Sequence, residues 1–291
     1  MKLATFTHRD SRRVGVAVGD EVVDLAVAAP ALPHDMTEFL ALGDPALEAA
    51  RRAAEAAAGR IPLSEVRLDA PVPNPHKYLA IGLNYQDHVD ETGREAPNFP
   101  IFFNKQTSCV NGPYDPIHLP RASKALDYEG ELVFVIGRRC RHVPKDRADE
   151  VIAGCLVGND VSVRDWQRKA QTMTLGKSWD THGPTGPWIV TTDELGDLHG
   201  LDLKTWVNGE LRQDSNTKHL IFGCYDMIET LSTVFTLEPG DLIATGTSGG
   251  VGAAMQPRRF LRAGDVVRIQ IEGIGYIENP VIDEPPDTAR I

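Results

Sequence analysis

The segment DYEGELVFVIG, Asp127 to Gly137, sets two glutamates one residue apart and then runs into an unbroken apolar stretch. Alternate residues of a strand point to the same face, so Glu129 and Glu131 stand side by side. Two carboxylates held that close repel each other unless a cation lies between them. The plainer reading of the same letters is an edge strand whose glutamates are solvated.

Other strand-like runs flank this one in the sequence: KYLAIG at 77–82 and VVRIQIEG at 266–273. Asn208-Gly209, between TWV and ELR, is a tight-hairpin signal. Gly240-Asp241 and Gly264-Asp265 each introduce a further strand. Helices are fewer, expected near Tyr85 to Thr92, after Asp160 and around Tyr225 to Val234. The fold class expected is α+β, a mixed β-sandwich roll with a small N-terminal α/β module. That module has strand patterns at Lys2 to Thr7 and Arg13 to Val18, and a Gly19-Asp20 turn into Glu21 to Leu25. Asp35 and Glu38 resemble a capping box before MTEFLAL. Asp44-Pro45 opens an Ala-rich helix whose weak apolar stripe places it on the surface. Pro71, Pro73 and Pro75 form a stiff connector, which divides the chain into residues 1–70 and 71–291.

The chain has 291 residues, 42% hydrophobic and 24% charged, which suits a globular protein with a sizeable core. Its net charge of −11 repels phosphate backbones and anionic membranes, and no basic stripe offsets it, so neither nucleic acid nor membrane is an expected partner. No segment approaches the ~20 apolar residues of a membrane span, and the first residues lack a signal-peptide core. The four scattered cysteines, Cys109, Cys140, Cys155 and Cys224, read as reduced thiols. A cytoplasmic location is the resulting expectation.

A third carboxylate, Asp160, ends the apolar run CLVGN. It reads either as a helix N-cap or as the third oxygen ligand beside Glu129 and Glu131. A carboxylate-only set favours Mg²⁺ or Mn²⁺, with Ca²⁺ also possible, over zinc. Arg164 and Gln167, three apart on the helix expected after Asp160, share a face, and Arg164 can grip a carboxylate through two donors. The alternative is a local Arg164–Asp160 pair. Lys177 in GKSWD is a candidate electrostatic partner of the acidic cluster. His88 and Glu91 share a helix face, so the carboxylate can orient the imidazole as a general base; a solvated acidic helix is the alternative. Thr247, in the glycine-rich TGTSGGVG at 245–252, is a candidate donor to a substrate carboxylate.

Together these motifs, in this order, resemble the fumarylacetoacetate hydrolase family from about residue 72 to 283. The matching segments are GLNYQDHVDE around His88, FNK ending at Lys105, DYEGEL at 127, NDVSVRDWQ at 159, GKSWD at 176 and TGTSGGVG at 245. The resemblance implies that Glu129, Glu131 and Asp160 bind the metal and that His88 and Glu91 form a dyad on a closing lid. Arg164, Gln167, Lys177 and Thr247 then contact substrate or support the metal site, with Lys105 near the pocket. A commonly dimeric assembly, here a homodimer, is also implied. Two positions depart from the family pattern: Leu83, where some acylpyruvate-cleaving relatives carry Arg, and Ser248-Gly249, where Pro is common first.

The implied reaction is hydrolysis of a C–C bond in a 2,4-dioxo acid of acylpyruvate type, giving pyruvate and a carboxylic acid. The cation stabilises the enolate form of the 2-oxo acid, and His88 activates the attacking water. The same chemistry serves oxaloacetate decarboxylation, tautomerisation of oxo-dicarboxylates, and hydrolysis of 2,4-dioxo-3-deoxy sugar acids. Decarboxylation needs no attacking water and should tolerate loss of His88. A sugar acid would draw on polar groups such as Asn98, Asn104 and Gln106. From a different class, a non-catalytic metal- or ligand-binding homologue would need a damaged ligand set, and here every position is filled.

Overall fold

The computed structural model describes residues 1–56, 58–93 and 95–288. Gly130–Ile136, the apolar run of the DYEGEL segment, is an interior strand. It pairs antiparallel with Ile152–Asn159 on one side and Leu242–Ala244 on the other. Among the described residues these belong to a twelve-stranded mixed sheet. From one edge its main path of ten strands is Arg60–Pro62, Glu21–Asp24, Ser11–Val18, Lys2–His8, Gly183–Thr191, Ile152–Asn159, Gly130–Ile136, Leu242–Ala244, Tyr78–Gly82 and Ile101–Lys105. Off that path, Arg67–Leu68 lies beside Lys2–His8 and Val110–Asn111 beside Gly183–Thr191. A five-stranded sheet runs Glu210–Asn216, Asp202–Val207, Val266–Ile271, Gly275–Asp283 and Ile117–Leu119.

Burial explains why the 130–136 strand shows no polar alternation. Leu132, Phe134 and Ile136 share one core with Leu203, Ile269 and Ile277 of the five-stranded sheet, and with Met227, Ile228 and Leu231 of the helix Cys224–Val234. Val133 and Val135 face the other way, into a core with Met36, Phe39 and Leu40 of the helix Met36–Ala41. A strand covered on both faces has no reason to alternate. The α+β class with a mixed, sandwiched sheet is therefore the observed one. Gly130 marks a close approach of the two sheets: a Cβ there would stand 2.4 Å from Thr205 Oγ1.

Local signals map onto elements for identifiable reasons. Asp35 caps Met36–Ala41 by accepting from the N–H groups of Thr37 and Glu38. Asn208 and Gly209, at φ 53° and 78°, make the hairpin turn between Asp202–Val207 and Glu210–Asn216. Two expectations change. The helix Asp44–Glu55 does bury a stripe, built from Ala46, Ala50 and Ala53, small side chains that let it dock closely while its outer face stays exposed. After Asp160, Ser162–Val163 pairs as a strand with Leu126–Asp127, and the helix is only Arg164–Gln167. The β-branched Val163 suits the strand better than a helix.

The large sheet continues across the proline connector, because Lys2 and Leu3 pair with Val190 and Ile189. Residues 1–70 and 71–291 remain a proposed division of the chain, with one ladder bridging them. All four cysteines are free, three buried and Cys140 partly so. No helix among the described residues is long and apolar enough to cross a membrane.

Candidate metal centre and its pocket

The strand register builds the acidic cluster. Gly130 pairs with Asn159 and Glu131 with Gly158, so one step outward sets Asp160 opposite Glu129. The Asp160 N–H donates to the Glu129 carbonyl at 2.9 Å, which fixes that step. One carboxylate oxygen from each of Glu129, Glu131 and Asp160 then lies within 4.8 Å of the others. All three side chains are buried on interior strands or at their ends, which rules out the solvated edge-strand reading.

Cations answer part of this charge. Lys177 Nζ donates to Glu129 Oε2 at 2.6 Å and to Asp160 Oδ2 at 2.7 Å. Lys105 Nζ donates to Asp160 Oδ1 at 2.6 Å and to the carbonyls of Lys177 and His182. Arg164 reaches Glu129 Oε1 at 2.6 Å and Asp127 Oδ2 at 2.8 Å, not Asp160. It also donates to Gln167 Oε1 at 3.2 Å, as their shared helix face requires. Burial alone would raise the Glu129 carboxyl, but Lys177 and Arg164 outweigh it and hold it down to about 2. Burial likewise opposes the charge on Lys105, and Asp160 more than restores it.

Glu131 is different. Its one hydrogen-bond donor is the Gly246 N–H at 2.8 Å, and no side-chain cation forms an ion pair with it among the described residues. Burial, then the charges of Asp160 and Glu129, push its carboxyl well above the usual range. Three converging oxygens, one of them electrostatically uncompensated, fit a shared hard cation of the Mg²⁺ or Mn²⁺ type.

Above the cluster lies the helix Gln86–Thr92, ended by Gly93 in the left-handed region at φ 63°. His88 Nδ1 meets Glu91 Oε1 at 2.8 Å, the pairing read from their spacing. Glu91 Oε2 accepts from Gly250 N at 2.8 Å, while Asp87 accepts from Gly249 N at 3.2 Å and from Ser215 Oγ at 2.6 Å. The helix is thus clipped to the 245–252 loop. His88, Glu129, Arg164, Gln167, Lys177 and Thr247 line one cavity of about 430 Å³. Lys105, Glu131 and Asp160 are buried beside it rather than on its wall. Thr247 Oγ1 donates to Gly130 O at 3.0 Å and accepts from Gln213 Nε2 at 2.8 Å.

Several contributors escaped the sequence reading. Asp127 is fully buried, grips Arg164, and accepts from the N–H groups of Gly252 and Ala253. Its place two residues before Glu129, the spacing that also separates Glu129 from Glu131, was the available signal. Gln213 bridges Gly130 N and Thr247 Oγ1, across a separation no local pattern reveals. Asn84 donates to the carbonyls of Thr245 and Phe222, anchoring the turn that leads into the helix Gln86–Thr92.

Comparison with known proteins gives concordant findings. Residues 77–282 match the family described as fumarylacetoacetate (FAA) hydrolase C-terminal. The mitochondrial oxaloacetate tautomerase of Xenopus laevis is 42% identical over 288 residues, covering 97% of this chain and 90% of that protein. Maleylpyruvate hydrolase from Sphingobium sp. SYK-6, solved with manganese(II) and pyruvate, is 36% identical at a TM-score of 0.81, with 98% of this chain and 100% of that one covered. The 2-hydroxyhepta-2,4-diene-1,7-dioate isomerase of Mycobacterium marinum is 34% identical at a TM-score of 0.79, covering 98% and 99%.

Proposed function

Since the chain belongs to the fumarylacetoacetate hydrolase family, an enzyme family with hydrolase and isomerase or tautomerase members, we propose that it interconverts the enol and keto forms of a 2-oxo dicarboxylic acid such as oxaloacetate. The observation that carries this reading is the His88–Glu91 pair set over a cavity that also opens onto Glu129, Arg164 and Lys177.

A divalent cation, Mg²⁺ or Mn²⁺, held by Glu129, Glu131 and Asp160 would supply Lewis-acid stabilisation of negative charge on the substrate's oxygens. The chain's own residues do the rest. With Nδ1–H donating to Glu91, His88 keeps Nε2 free to take a proton from the carbon beside the carbonyl and to return it. Glu91, itself fixed by Gly250, holds the ring in that tautomer. Lys177 holds Glu129 and Asp160 in place and Lys105 holds Asp160. Arg164, whose buried Nη2 has no partner of its own among the described residues, faces the substrate's oxygens beside Gln167. Thr247, its proton given to Gly130 O, braces the loop. Ile81, Ile101, Phe103 and Val251 make the wall that excludes water from the reacting carbon. The maleylpyruvate hydrolase solved with manganese(II) and pyruvate supports a divalent cation and a small 2-oxo acid as ligand. A homodimer, implied by the family resemblance, is part of the proposal.

The same dyad favours a second reading, C–C hydrolysis of an acylpyruvate, in which His88 deprotonates water for attack on the distal carbonyl. One experiment separates the two. Decay of enol-oxaloacetate absorbance and pyruvate release from acylpyruvates would be followed with Mg²⁺ or Mn²⁺, then with chelator, for the wild type, His88→Ala and Glu131→Ala. Chelator-sensitive enol decay without pyruvate release, lost in both variants, is the expected result. Pyruvate release from an acylpyruvate would transfer the assignment to hydrolase. Inactivity on every substrate would sink both readings.

A further inference from the structure

We propose that Arg168, with Gln171, forms a second-anion subsite at the mouth of the cavity and selects substrates that carry a carboxylate at the end remote from the 2-oxo acid group. This deepens the reading of the pocket as a 2-oxo acid site and rests on it.

Three cationic side chains line the cavity: Arg164, Arg168 and Lys177. Two of them are largely committed at the level of the carboxylates. Lys177 is bound to Glu129 and Asp160, and Arg164 to Glu129 and Asp127, with only its buried Nη2 left to meet the 2-oxo acid end. Arg168 makes no ion pair and no side-chain hydrogen bond among the described residues, so its full fork of donors is available. Exposed on the pocket wall with no acidic side chain of the described residues paired to it, this guanidinium is free to take a carboxylate that arrives with the substrate.

Position gives the order of contacts. Arg168 follows Arg164 by four residues and keeps helical backbone at φ −85°, so the two lie one turn apart on the same side. Arg164 is buried at the level of the carboxylates, whereas Arg168 is exposed at the rim. A substrate whose 2-oxo acid end lies against the cluster therefore reaches Arg168 with its far end. The adjacent Lys169 is not part of the cavity lining, its ammonium lying 3.4 Å from the centre of the Trp166 ring. Gln171 adds an uncharged donor to the lining, which also includes the apolar Leu83, Ile101 and Met173. An uncharged acyl tail would find that apolar wall and gain nothing from Arg168, so the arginine acts as a discriminator.

The test compares inhibitors that differ in one carboxylate. Inhibition of oxaloacetate enol decay by pyruvate and by 2-oxoglutarate would be measured in Mg²⁺ for the wild type, Arg168→Met and Arg168→Lys, with KM and kcat for oxaloacetate. The expected Arg168→Met phenotype is about a tenfold rise in KM and in the 2-oxoglutarate inhibition constant. Its kcat and pyruvate inhibition should change less than about twofold, and Arg168→Lys should recover part of the loss. Equal weakening of both inhibitors, or no change in either, overturns the subsite while leaving the 2-oxo acid site intact. A wild type that binds neither inhibitor overturns the subsite and the underlying reading together.

Discussion

Arg164 is held between two acids, and only one of them, Glu129, belongs to the candidate metal set. Asp127, the other, has no exposed surface and satisfies two loop N–H groups besides the guanidinium. Its truncation would leave a buried cation half-paired and two donors bare. Asp127→Ala should therefore cost about 3–5 kcal/mol in urea unfolding, and the variant should lose most activity as Arg164 drifts. A loss below about 1 kcal/mol would show that water replaces the carboxylate at little cost. His182 gives a pH prediction. Burial is the main cause that lowers its imidazole to about 3, and Nε2 donates to the His118 carbonyl at 2.8 Å. Above pH ~6.5 both folded and unfolded rings are neutral, so the full stability is present there. As pH falls below that value the unfolded ring takes up its proton first, and stability is lost down to about 3. His182→Gln keeps a donor and does not titrate, so urea unfolding between pH 7 and 4.5 should show a shallower acid slope than the wild type. At this scale the sequence pointed to the candidate ligand set through two glutamates two apart on a strand, which Asp160 joins through the family resemblance. It hid His182 and Gln213, whose partners arrive from distant segments and leave no local spacing to read.

Among the elements, the helix Gln86–Thr92 carries the His88–Glu91 pair. It is two turns long, too short to be stable alone, and its caps use no side chain at the N-terminus. What fixes it is a set of clips to other segments: Asp87 to Ser215 and Gly249, and Glu91 to Gly250. Asp87→Ala removes two of them without touching the dyad. We expect about a tenfold loss in kcat/KM and faster amide hydrogen exchange within residues 86–92. Unchanged exchange would mean that Glu91 and Gly250 alone keep the helix down. The helix itself was legible from its glycine stop and from the His88–Glu91 spacing. Its clips were not, since Asp87 reads from sequence as one more solvated acid. The segment after Asp160 shows the opposite difficulty: a polar run of helical character conceals a two-residue strand, because pairing with Leu126–Asp127 overrides local preference.

For the whole molecule, the proline connector marks a change of composition more than an independence of parts. Val133, Val135 and Leu156 bury against the helices of residues 1–70, and Lys2–His8 supplies the pairing partner of Gly183–Thr191. A chain lacking residues 1–70 should therefore expose that face, bind a hydrophobic dye and lose its cooperative thermal transition. A soluble, cooperatively folding 71–291 fragment would contradict this. The strands and their turns were readable one by one, whereas the order in which they lie side by side was not. Nothing in the letters says that Leu242–Ala244 slots between Gly130–Ile136 and Tyr78–Gly82. That insertion has a consequence for biogenesis. On the ribosome, the strands at 78–82 and 130–136 each lack one pairing partner until residue 244 has emerged, on the order of ten seconds later at ordinary synthesis rates. Throughout that interval the nascent chain presents two open, apolar strand edges, a hazard that ends only when the last part of the chain closes the seam.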